Sequence, residues 1–101
     1  MTQPSSLSRP LRVVVVDADH RVRDSLSGLL AIGDELEVVG ETGHAGTAFD
    51  LCHDLSPDVV VIDPRLPDLH DGVALVREVR ARCPDTIVLV LSWPGLATEH
   101  P

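Results

Sequence analysis

Aromatic side chains are nearly absent, with Phe49 and Trp93 the only two and no tyrosine at all. Any core must therefore be built from Val, Leu, Ile and Ala, which the 44% hydrophobic content supplies. Lysine is missing altogether: the 8 basic residues are all arginine, against 16 acidic residues, for a net charge of −8. A surface of that sign repels phosphate backbones and argues against direct nucleic-acid binding by this chain. Long apolar runs are lacking too, since nothing approaches the roughly 20 residues that span a bilayer. No signal peptide precedes the first apolar run, so the expectation is a cytoplasmic chain without a membrane anchor. Cysteine is scarce: Cys52 and Cys83 both fall on expected helices without Cys-x-x-Cys spacing. They read as two small buried hydrophobes in a reduced protein.

What is present is a regular alternation. The 101 residues make one small domain. Residues 1–10 are rich in Ser and Pro and read as a disordered lead-in. Strands are expected at about Leu11–Asp17, Leu36–Glu41, Asp58–Asp63 and Thr86–Ser92. Between them, Val22, Leu26, Leu29 and Leu30 recur with helical spacing, and Gly33 closes that helix. Ala45, Ala48, Phe49 and Cys52 form a second stripe ending near Ser56-Pro57, and Val76, Val79 and Cys83 a third ending at Pro84. This order implies an α/β fold with parallel strands joined by right-handed crossovers. After Ser92 the pattern stops, leaving residues 93–101 as a loop-like tail in which Trp93-Pro94 is either an anchor for a partner or a plug.

Chemistry is expected where two apolar strands end on carboxylates. Val59-Val60-Val61-Ile62 has no polar alternation, as in a central parallel strand covered on both faces, and it runs into Asp63. Leu11-Arg12-Val13-Val14-Val15-Val16 runs likewise into Asp17. Open α/β sheets hold their ligands beyond the carboxyl ends of the strands. Two carboxylates meeting there suit a hard cation and a phosphoryl group. Asp19 reads as the N-cap of the first helix. Arg77, Arg80 and Arg82 read as a solvated helix face. His20, His44, His53, His70 and His100 are scattered without ligand spacing, and Cys52-His53 alone is weak evidence for zinc.

With these elements placed, the chain resembles a response-regulator receiver domain of bacterial two-component signalling. The likeness runs from Leu11 to Ser92. Val16-Asp17-Ala18-Asp19 followed by Val22-Arg23-Asp24-Ser25-Leu26 resembles the first strand, acidic turn and first helix. Leu36-Glu37-Val38-Val39-Gly40-Glu41 is similar to the second strand of receivers that often precede a helix-turn-helix output domain. Pro57 through Pro67 is the most specific match, an acceptor aspartate with a proline four residues later. Val88-Leu89-Val90-Leu91-Ser92 resembles the fourth strand with its switch hydroxyl. The resemblance implies a flavodoxin-like open parallel sheet, with (βα)3β present over residues 11–92 and the last αβα missing. It implies Asp63 as phosphoacceptor for a histidine kinase, and Ser92 as switch hydroxyl. It implies Mg2+ held by Asp17, Asp63 and the backbone carbonyl of Arg65.

Four departures set further expectations. Receivers usually carry two adjacent acidic residues at the first turn, where this chain has Asp17 and Ala18. Losing a carboxylate forfeits roughly 1–4 kcal/mol of attraction per unit charge at about 4 Å, so the cation site should be weakened. The residue after the switch hydroxyl is usually small, and here it is Trp93. The loop between Pro67 and Gly72 is one residue longer than usual. The family's fifth strand, with the lysine that pairs with the phosphorylated aspartate, has no counterpart, which leaves the fourth strand as a bare edge inviting a homodimer. The expected function is a phosphoryl-accepting receiver with impaired switching, a signalling module and not an enzyme. The alternative is a pseudo-receiver that binds partners without phosphate. A small α/β enzyme or nucleotide-binding domain is disfavoured, because Ala18-Asp19-His20-Arg21 stands where a glycine-rich loop would follow the first strand.

Overall fold

The computed structural model describes residues 9–66 and 68–91. Pro67, Ser92 and Trp93, to which the sequence assigned roles, lie outside the described residues, as does the tail after them. Four strands and three helices alternate: β1 (Leu11–Val16), α1 (His20–Leu30), β2 (Leu36–Thr42), α2 (Ala45–Leu55), β3 (Val59–Ile62), α3 (Leu69–Arg82) and β4 (Ile87–Val90). All pairings are parallel, in the order β2-β1-β3-β4. The central pair, β1 and β3, comes from the two unbroken Val/Ile runs. Such strands bury side chains on both faces, which alternating sequences cannot do.

Period-two alternation sorts these valines between two layers. Val14, Val16, Val60 and Ile62 point to the face covered by α2 and α3, where they pack with Ala48, Cys52, Leu75 and Val79. Val13, Val15, Val59 and Val61 point to the opposite face, where Leu26 and Leu30 of α1 cover them together with Leu36, Val38 and Leu91. Register pairs Val59 with Ile87 and Val61 with Leu89, so Ile87 and Leu89 belong to the α1 face. Helix α1 lies over β1 and β2 and does not shelter them. Ile87 is 60% and Leu89 52% exposed.

Several boundaries differ from the sequence reading, each for a local reason. Helix α1 stops at Leu30 with Ala31 as cap, and Gly33, expected to close it, sits beyond in the turn with φ +87. Leu29, counted in the apolar stripe, is 65% exposed, because the single sheet face beneath α1 accommodates only Leu26 and Leu30. Cys83 is the C-cap of α3 and not part of the helix. Asp17 and Asp63 each lie one residue past their strands. Their N–H groups nonetheless continue the ladder, donating to Thr42 at 3.1 Å and Val16 at 2.9 Å. Arg9, assigned to the lead-in, is anchored: its guanidinium donates two hydrogen bonds to the Asp58 carboxylate at 2.9 and 3.2 Å. Asp58 also accepts from the Arg12 N–H at 2.8 Å. Those donors hold its carboxyl down at about 2.

Candidate functional site

Because β1 and β3 are neighbours in register, Val16 faces Ile62, and the next residue on each strand is an aspartate. Asp17 is 1% and Asp63 6% exposed, a costly placement for two carboxylates. Each carboxylate is oriented by a backbone turn of its own loop. Asp17 Oδ1 accepts from the Asp19 N–H at 2.8 Å, and Asp63 Oδ1 from the Arg65 N–H at 3.1 Å. Asp17 Oδ2 is buried with no hydrogen-bond partner. Burial pushes the Asp17 carboxyl above its ordinary range; the Asp19 N–H opposes that, while the charge of Asp63 adds to it.

The rest of the acidic turn is committed elsewhere. Asp19 caps α1, its Oδ1 accepting from the Arg21 N–H at 2.9 Å and the Val22 N–H at 3.4 Å. Ala18 is exposed beside the pair and offers no ligand atom. Arg23, which entered the sequence analysis only as part of the first-helix match, clamps the turn. Its Nη1 donates to the Asp17 carbonyl at 2.8 Å, while Nε lies 3.8 Å from Glu41 on β2. Nothing in the local sequence marks that role, which depends on where the first helix returns to the strand end.

On the β3 side, the loop leading into α3 is fixed by two contacts. Leu66 is 1% exposed and pins the loop into the core. Gly72 packs its Cα against the Pro64 backbone so closely that an added Cβ would overlap the Pro64 carbonyl oxygen. Asp68 caps α3 by accepting from the Asp71 N–H at 3.0 Å. The start of α3 brings Asp68, His70 and Asp71 within 4.8 Å of one another, a grouping the sequence reading had left as a scattered histidine. A groove of about 770 Å³ between α2 and α3 is walled by Ala18, Gly43, Leu66, Leu75 and Glu78. Ala18 and Leu66 bring this groove alongside the carboxylate pair, and neither aspartate is among its walls.

The donors at this strand end suit a hard cation such as Mg2+. The orphaned Asp17 Oδ2, buried beside a second carboxylate, is an atom that a cation would satisfy. Mg2+ keeps several of its waters and is commonly bound through only one or two carboxylates, so Ala18 weakens the set without disqualifying it. The two strand-end carboxylates, Asp17 and Asp63, have the donor chemistry that such an ion takes.

The fold and this pair of strand-end aspartates define a receiver-type α/β domain. The chain belongs to the response regulator receiver domain family, whose profile matches residues 13–98. It is 40% identical over 82 residues, 81% of this chain, to the DNA-binding transcriptional activator DevR/DosR of Mycobacterium tuberculosis, of which it covers 37%. It is 34% identical over 96 residues, 95% of this chain, to protein-glutamate methylesterase/protein-glutamine glutaminase 5 of Anaeromyxobacter dehalogenans, of which it covers 26%. The chain thus spans about a quarter to two fifths of the length of these relatives. Its structure is similar to the signal receiver domain of NarL from Mycobacterium tuberculosis, with TM-score 0.75 and 30% identity over 87% of this chain and 73% of that one.

Proposed function

We propose that this receiver domain accepts a phosphoryl group on Asp63 from a histidine kinase, as a cytoplasmic signalling module without an enzymatic activity of its own. The observation carrying this reading is the juxtaposition of two buried carboxylates, one with an unpartnered oxygen, at the ends of adjacent parallel strands. Asp63 would be the nucleophile. The hydrogen bond from the Arg65 N–H to Oδ1 orients the carboxylate whose oxygen would attack an incoming phosphorus. Asp17, Asp63 and the Arg65 carbonyl would hold Mg2+, which when bound offsets the charge of the phosphoryl oxygens. Arg23 holds the Asp17 carbonyl and so keeps the acidic turn in place through the transfer.

Switching is proposed to be impaired, because Ala18 contributes no charge to the seat. The same alanine favours a second reading, a pseudo-receiver that binds its partners without phosphate. Incubation with Mg2+ and a small acyl phosphate, read by intact mass, separates the two. A single phosphoryl adduct, lost in Asp63→Asn, supports the first reading. An unmodified mass at saturating donor supports the second.

A further inference from the structure

The two cysteines lie at the end of the sheet opposite Asp17 and Asp63, and the receiver chemistry does not use them. Cys52 sits in the last turns of α2 and is 1% exposed. Cys83 caps the C-terminus of α3, where its N–H donates to the Val79 carbonyl at 2.7 Å, and it is half-buried. Both pack in the same apolar cluster between the helices and the sheet. Both also line one small cleft of about 230 Å³, together with Ser56, Pro57, Arg82 and Pro84. The cleft brings solvent up to this pair, and Cys83 is the more exposed of the two.

We propose that Cys52 and Cys83 are a thiol pair that peroxide converts to an intramolecular disulfide, clasping the C-terminal end of α2 to that of α3. Cys83, the more exposed sulfur, reacts first. Its thiolate attacks one peroxide oxygen, the S–O bond forms, the O–O bond breaks and hydroxide leaves to become water. The Cys52 sulfur then attacks the Cys83 sulfenic acid, the S–S bond forms, the S–O bond breaks, and a second water leaves with the Cys52 proton. Two thiols and one peroxide give one disulfide and two waters, the route by which sulfenic acids condense with a neighbouring thiol. Burial, and secondarily the neighbouring Cys83, push the Cys52 thiol up to about 11. The second step is therefore slow at neutral pH, as suits a clasp and not a catalytic dithiol. Both helix ends are held at the sheet end remote from Asp63, so the clasp stiffens the α2–α3 layer without touching the phosphoryl seat.

The test uses the whole chain, reduced and then exposed to hydrogen peroxide, with alkylation of remaining thiols and non-reducing peptide mapping. Expected is a monomer lighter by two hydrogens and refractory to alkylation, with one cross-linked peptide pair joining residues 52 and 83. Dithiothreitol should reverse it, and the oxidised form should unfold at higher denaturant than the reduced form. Cys52→Ala, which keeps a small apolar group in the core, should stop at oxygenated Cys83 with no internal cross-link. Independent oxygenation of each sulfur in the parent chain, or disulfides only between chains, would overturn the proposal.

Discussion

At the scale of single residues, the two aspartates were legible because an apolar run that ends on a carboxylate has few other readings at a sheet's edge. The clamp of Arg23 and the orphaned Asp17 Oδ2 were not legible, because both depend on where the first helix returns to the strand end. Ala18 is the decisive position. Ala18 is exposed, so the charge that Ala18→Asp adds at about 4 Å from a divalent ion acts through a high dielectric and is worth about 2 kcal/mol, or roughly 30-fold in affinity. Magnesium titration followed by amide NMR should show that tightening, and equal midpoints for parent and variant would mean that the pair holds no ion. Asp17 itself should make the metal-free protein pH-sensitive. Its folded carboxyl is raised above the ordinary 3.8, so the folded state binds the extra proton. Stability is then greatest below the unfolded value and falls as pH rises through the folded one. Asp17→Asn, measured with chelator present, should melt a few degrees higher than the parent at neutral pH and lose that slope; a lower melting point would contradict the cost assigned to this burial.

At the scale of elements, every strand and helix expected from the sequence is present, because Val/Ile runs and helical stripes are strong signals even without alignment. The misses came at ends and faces. Leu29 repeats with the right period yet faces solvent, since periodicity says nothing about how wide a surface lies beneath a helix. The entry to α3 was also opaque, because the need for glycine at position 72 comes from the Pro64 backbone and not from its own neighbours. Gly72→Ala gains about 1 kcal/mol of helix propensity. It also forces a Cβ against a backbone oxygen, and overpacking of that kind typically costs up to about 3 kcal/mol or more. The clash wins, so chemical denaturation should show net destabilisation of roughly 2 kcal/mol, together with changed amide shifts around Asp63. An unchanged midpoint would show that this loop yields freely.

At the scale of the whole molecule, β4 is the edge of the sheet among the described residues, and that edge has a physical consequence. Ile87, Leu89 and Val90 expose apolar surface along one strand, and exposed apolar edge strands template pairing with another chain. A homodimer through β4 is accordingly expected: light scattering across a concentration series should show mass rising with concentration, and Leu89→Lys should return it to the monomer. A concentration-independent monomer would count against this edge as an interface. The central claim, that Asp63 receives the phosphoryl group, has a more direct test. After reaction with a small acyl phosphate and Mg2+, borohydride reduction converts an aspartyl phosphate to homoserine, which peptide sequencing by mass spectrometry locates. Homoserine at position 63, absent without Mg2+, is the expected result; no homoserine at any position, or homoserine at another aspartate, would contradict it.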